Sequence, residues 1–159
     1  MEKIGFGGGC HWCTESVFQS LKGVQKVAQG WIASVNENNT FSEAVIVHFN
    51  PALINLRTLI EIHLNTHSSS SAHTMRTKYR SAVYTFEEIQ QESAEKIITG
   101  FQVAFNNQLI TKVYPFQDFK PSPEQFQNYY LKNPQKPFCE RFITPKLKML
   151  EKDFPDSLK

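Results

Sequence analysis

Three consecutive glycines lead directly into a pair of cysteines three positions apart, in the run Gly7-Gly8-Gly9-Cys10-His11-Trp12-Cys13. Glycines let a backbone turn sharply without Cβ clashes, and an apolar helical pattern with Val17, Phe18 and Leu21 follows. Cys10 therefore stands where a helix begins. Unpaired N–H groups and the positive dipole end there favour a thiolate, the form of cysteine that attacks. A small buried core cysteine after a glycine turn is the bland alternative. Cys13 completes a C-x-x-C, which is a redox signature in thioredoxin-like folds and also half of a zinc site. The sequence has no second C-x-x-C, and its histidines lie at no ligand spacing that pairs with this one, so no metal is expected. His63 and His67 are four residues apart and could share a helix face, where they read as ordinary helix residues. The remaining cysteine, Cys139, lies far downstream, and three cysteines cannot form a full structural disulfide set.

The elements that must hold these groups alternate. Residues 4–6 read as a short strand, followed by the glycine turn and a helix from Cys10, with Gly23 as its C-cap. Residues 24–32 look extended. Residues 43–49 are β-branched and strand-like, Asn50-Pro51 breaks that strand, and Leu56, Leu59, Ile60, His63 and Leu64 set a second helix period. A polar loop with Ser68-Ser69-Ser70-Ser71 extends to Thr74. Residues 81–85 form a strand candidate, 86–105 an amphipathic helix with Ile89, Ala94, Ile97 and Ile98 on one face, and 109–114 a further strand. Residues 121–131 are weakly helical, and 138–150 have no clear type. This predicts an α/β (α+β) two-layer sandwich with a mixed sheet and a long irregular C-terminal segment.

The 159 residues fit a single domain spanning 1–159, and 40% hydrophobic content with 13 Phe suffices for a packed core. A net charge of +2 with scattered Lys and Arg argues against a dedicated nucleic-acid binder, although residues 132–159 are locally basic. No apolar run approaches the roughly 18 residues of a membrane span, and the N-terminus has no signal-peptide pattern. A cytoplasmic protein with reduced thiols is expected.

Gly8-Gly9-Cys10-His11-Trp12-Cys13-Thr14-Glu15 resembles the G-C-F-W-x-x-E signature of the A-type peptide methionine sulfoxide reductases. Gly23-Val24, Gly30-Trp31, Glu43-Ala44-Val45, Asn50-Pro51 and Tyr79-Arg80-Ser81-Ala82-Val83-Tyr84 resemble further elements of that family in order. Tyr130-Leu131-Lys132-Asn133-Pro134, Cys139 and Thr144-Pro145-Lys146-Leu147 resemble its closing elements. The likeness covers residues 4 to about 148.

It implies a ferredoxin-like core and thiol-dependent reduction of methionine-S-sulfoxide, free or in oxidised proteins. Cys10 would attack the sulfoxide sulfur, Glu43 would protonate the departing oxygen, and Tyr79 would hydrogen-bond it. His11 and Trp12 would line the substrate pocket. The sulfenic acid left on Cys10 would condense with Cys139, with Cys13 as the competing resolver, and thioredoxin or another dithiol would reset the enzyme. No metal or organic cofactor is implied, and a monomer is the default. His11 departs from the family's Phe, a second substrate-side Tyr is missing from residues 32–40, and residues 68–74 lack the family's Asp. Two other functions compete: a thioredoxin-like dithiol oxidoreductase built on Cys10 and Cys13, and a non-catalytic binder of oxidised methionine.

Overall fold

The computed structural model describes residues 1–71 and 74–159. In chain order the elements are β1 (Glu2–Gly7), α1 (His11–Gln19), β2 (Val24–Ala33), β3 (Ser42–Phe49), α2 (Leu56–Thr66), β4 (Ala82–Thr85) and α3 (Glu88–Phe101), then β5 (Lys112–Pro115), β6 (Asp118–Pro121), α4 (Tyr129–Lys132) and α5 (Thr144–Asp153). The six strands form one mixed sheet in the order β5-β4-β1-β3-β2-β6, in which only β4 and β5 run parallel.

Period-two alternation decides which residues enter the main core. Ile4 and Phe6 of β1, Val45, Val47 and Phe49 of β3, and Val83 of β4 face the helices, which contribute Val17, Phe18, Leu59, Ile60 and Ile62. Phe6 stacks on Phe18 with ring centroids 4.5 Å apart. Both are fully buried, and each side chain of this size stabilises by on the order of 2 kcal/mol. The alternate residues, Ala44, Ile46, Ala82 and Tyr84, form a second cluster with Ile32 on the opposite face. Phe86, Tyr114, Phe116 and Phe119 cover it, so the sheet curls around its own aromatic filling and carries apolar cores on both faces. The expected alternation of strands and helices is present, but simple two-layer packing understates this second core.

Several boundaries differ from expectation. Helix α1 stops at Gln19, and the Ser20 hydroxyl bonds back to the Val17 carbonyl at 2.6 Å. Gly23, with φ 83°, instead makes the turn into β2. Helix α3 runs only over Glu88–Phe101, and its inward stripe is Ala94, Ile98 and Phe101. Ile89 is 76% exposed because five residues separate it from Ala94, about 140° around a helix with 3.6 residues per turn. Strand β6 was not expected. The weakly helical stretch 121–131 contains a 3-10 turn at Glu124–Phe126 and the start of α4. The C-terminal segment ends in order: a π-helical turn at Cys139–Ile143 passes into α5, whose first turn holds Pro145. Of the polar loop, Ala72 and His73 lie outside the described residues, and Thr74 begins a 3-10 turn extending to Thr77. Among the described residues no helix is long and apolar enough to cross a membrane.

Candidate active site

The glycine turn is held from below by two histidines. His63 is buried on α2, and its Nε2 donates to the Gly7 carbonyl at 2.8 Å. His67 packs its ring against Gly8, where φ is 151° and a Cβ would fall 2.4 Å from Cδ2. No other residue fits there. His67 Nδ1 donates to the His63 carbonyl at 2.5 Å, and Nε2 lies 2.8 Å from the Ser81 hydroxyl. Burial pushes His63 well below the usual histidine range and His67 down to about 4, so both rings are neutral at neutral pH. The two do more than fill helix positions: they fix the floor under the nucleophile.

Arg76, unremarked in the sequence, clasps the same turn from the side. Its Nη1 donates to the carbonyls of Gly8 and Tyr79, both at 2.8 Å, its Nε to Ser71 at 2.7 Å and its Nη2 to Ser68 at 2.5 Å. One guanidinium thus ties the serine loop, the glycine turn and Tyr79 together.

Cys10 is half-buried at the N-cap of α1, and its carbonyl accepts the first helical bonds from Cys13 and Thr14. Its thiol is held below the usual range, chiefly by the Cys13 S–H donating to it, with further help from the Trp12 and Cys13 amides. Burial and the negative charge of Glu43 oppose that shift. Cys13 is pushed up in return and stays a thiol. Cys139 is fully buried, with its thiol raised by burial. It shares one apolar cluster with Cys13, Tyr129 and Ile143, against which Cys10, Trp12 and Phe138 pack. All three cysteines are free. The fold brings together three thiols that the sequence spreads over most of its length.

Glu43 is only 7% exposed at the start of β3, directly opposite Trp31 of β2. Its Oε1 accepts the His11 amide at 3.2 Å and lies 3.5 Å from His11 Nε2, while Oε2 lies 3.6 Å from Lys78 Nζ. The carboxyl is buried and its charge opposes ionisation of the Cys10 thiol, but Glu43 does not border the cavity beside Cys10. Tyr79, beneath the Lys78 ammonium at 5.0 Å, lines a cavity of about 190 Å³ together with Gly9, Cys10, Cys13, His67 and Lys146. A larger groove, about 880 Å³, lies beside β2 and the C-terminal segment and does not reach Cys10.

Two expected pocket residues point elsewhere. The His11 ring is buried, donates from Nδ1 to the Gly30 carbonyl at 2.6 Å, and meets Trp31 edge-on at 5.1 Å. Trp12 stacks on Tyr129 at 4.0 Å and meets Phe138 edge-on at 5.3 Å. Neither borders the cavity beside Cys10. Glu15 is fully buried on α1 and caps the start of α4. It accepts the Asn128 amide at 2.9 Å, the Tyr129 amide at 3.1 Å and Gln29 Nε2 at 2.9 Å, docking the segment that leads to Cys139. Among the described residues no three His, Cys, Asp or Glu side chains are grouped to hold a metal ion.

Residues 2–158 match the family model described as peptide methionine sulfoxide reductase. The peptide methionine sulfoxide reductase MsrA of Pasteurella multocida is 34% identical over 155 residues, covering 89% of each chain. The reduced-form crystal structure of Mxr1 from Saccharomyces cerevisiae superposes with a TM-score of 0.77 over 87% of this chain and 88% of that one, at 24% identity. A structure of Mxr1 in complex with Trx2 matches with a TM-score of 0.64 over 80% and 84%, at 21% identity.

Proposed function

The chain belongs to the peptide methionine sulfoxide reductases and reduces methionine-S-sulfoxide, and on that premise we propose that Cys10 is its nucleophile, Glu43 its general acid and Cys139 its resolving thiol. The observation that carries this reading is Cys10 at the N-cap of α1, its thiol held below the usual range, with the buried carboxyl of Glu43 close enough for its charge to oppose that shift. The Cys10 thiolate attacks the sulfoxide sulfur as Glu43 protonates the oxygen, with Tyr79 hydrogen-bonding that oxygen from the cavity. The net step is Cys10–SH plus sulfoxide giving Cys10–S–OH plus methionine. Cys139 then attacks the sulfenic sulfur, forming the Cys10–Cys139 disulfide and releasing water. The shared apolar cluster supports this pairing, while Cys13, held as a thiol donor, serves the first step better than the second. Forming that disulfide requires the two sulfurs to come to bonding distance, about 2.05 Å.

A thioredoxin or similar dithiol reduces the disulfide, a reading to which the complex of Mxr1 with Trx2 lends support. Three free thiols suit a reducing, cytoplasmic setting, and one chain carries every group the cycle needs, so a monomer suffices. The strand order β4-β1-β3-β2 with α1 and α2 as crossovers supports a ferredoxin-like core to which β5 and β6 add edges.

The test supplies dithiothreitol and each epimer of a methionine sulfoxide derivative. Loss of the S epimer alone, abolished by Cys10→Ser, is expected, whereas consumption of neither epimer refutes the assignment. Cys139→Ser should complete one turnover yet fail to cycle with thioredoxin. Unimpaired cycling would make Cys13 the resolver.

A further inference from the structure

The cavity beside Cys10 is small, about 190 Å³ against the roughly 300–1,000 Å³ of sites for drug-sized ligands, which suits one amino-acid unit. Among the described residues that border it there is no Asp, Glu or Arg, and Lys146 brings the one ammonium. His63 and His67 line it too, but burial keeps both rings neutral at neutral pH. Their nitrogens are also engaged, His63 Nε2 with the Gly7 carbonyl and those of His67 with the His63 carbonyl and the Ser81 hydroxyl. Beside Lys146, the other charge at this cavity is that of Cys10 once ionised.

Lys146 is half-buried in the first turn of α5. One of its three N–H groups donates to the carbonyl of Thr66, the last residue of α2, and so satisfies a helix-end acceptor. Two N–H groups remain. Among the described residues no carboxylate lies within ion-pair distance of them. A partly desolvated cation without a counter-ion, on the wall of a cavity free of acids, is a place for an anion.

Resting on the reductase reading, we propose that Lys146 is a specificity-determining residue: its ammonium takes the α-carboxylate of a methionine-S-sulfoxide that is free or ends a chain, while the sulfoxide meets Cys10 and Tyr79. An internal methionine sulfoxide has a neutral amide in that place, and a neutral acceptor bonds about half as strongly as a charged one. The carboxylate takes no part in breaking the S–O bond. Its contact is therefore equal in the bound substrate and in the transition state, and it enters KM while leaving kcat alone. A lysine serving only as counter-ion to the Cys10 thiolate would instead act on every substrate alike, through the rate of attack.

Steady-state reduction with dithiothreitol tests this on the S epimers of N-acetylmethionine sulfoxide and its N-methylamide, which differ in that one charge. The acid should show a KM about fivefold below the amide's at equal kcat, the upper end for a pair that keeps some contact with water. Lys146→Met should erase the difference, and Lys146→Arg should keep most of it. Two peptides separate the sources of the carboxylate. Methionine sulfoxide at a chain end matching the acetyl acid supports a site for chain ends and free amino acid alike, and a poorer chain end supports a site for the free amino acid. Equal KM for acid and amide in the unmodified protein overturns the inference, and that measurement needs no variant to fold. A Lys146→Met defect that lowers kcat equally for both compounds also overturns it, since it assigns the lysine to the nucleophile. Turnover without preference defeats only this inference, whereas turnover of neither compound defeats the reductase reading beneath it.

Discussion

Removing the Cys13 sulfhydryl should weaken the nucleophile without touching it. The Cys13 S–H is the largest influence holding the Cys10 thiol down, and the amides of Trp12 and Cys13 act in the same direction to a lesser degree. A hydrogen bond to a charged group contributes about 1.5–3 kcal/mol, and about 1.4 kcal/mol corresponds to one pH unit. Sulfur is a weak donor, so the low end applies, and losing it in Cys13→Ala should remove about 1.5 kcal/mol of thiolate stabilisation. The thiolate fraction, and with it the single-turnover rate at neutral pH, should fall about tenfold. Cys13→Ser keeps an O–H donor and should restore most of the loss. The assay is iodoacetamide alkylation against pH in a Cys139→Ser background, where Cys10 is the reactive thiol. An alkylation midpoint in Cys13→Ala equal to that of the parent would refute the donor role. Loss of thioredoxin cycling in the single Cys13→Ala variant, with no change in midpoint, would instead make Cys13 a resolving thiol.

Glu15→Ala strands the amides of Asn128 and Tyr129 and one of the two Gln29 Nε2 hydrogens, and at about 1–3 kcal/mol for an unpaired buried donor should cost on the order of 3 kcal/mol in urea unfolding. It should also slow Cys10–Cys139 disulfide formation, measured by quenched thiol counts, more than it slows sulfoxide reduction. Arg76→Met should lower stability by about 3 kcal/mol, with Arg76→Lys little better, because an ammonium cannot reproduce the planar fork that meets four carbonyls. His67 is depressed in the folded state to about 4, so its contribution is complete above its unfolded value and is lost as pH falls from about 6.5 to 4. Urea midpoints should therefore fall through that window, and His67→Asn, which cannot gain the proton, should flatten the decline.

The sequence already shows the nucleophile's setting, because three glycines before an apolar helical period leave few other uses for Cys10. Glu43 is different. Its place at the head of a β-branched strand is visible, but an inward direction depends on pairing with Trp31, a register that no local pattern states. The same register explains why His11 could be recognised as a departure from the family signature without revealing that its ring faces β2 and β3. Arg76 was invisible for a physical reason. It sits in a polar loop, and its four partners are backbone carbonyls, which carry no residue identity. Glu15 is visible only as a signature acid, and its partners at residues 128 and 129 arrive from more than a hundred positions away. Strand β6 has four residues, one of them proline, and exists because the edge of β2 needs a partner.

The stack of Trp12 on Tyr129 links an indole two residues from the nucleophile to the C-terminal arm that bears the second redox sulfur. Any rearrangement that draws this arm towards Cys10 must disturb that face-to-face contact and change the polarity around the ring. Only one other tryptophan, Trp31, contributes background. The molecule thus carries its own optical gauge of oxidation state: stopped-flow emission can time the closing and reopening of the disulfide without an attached dye.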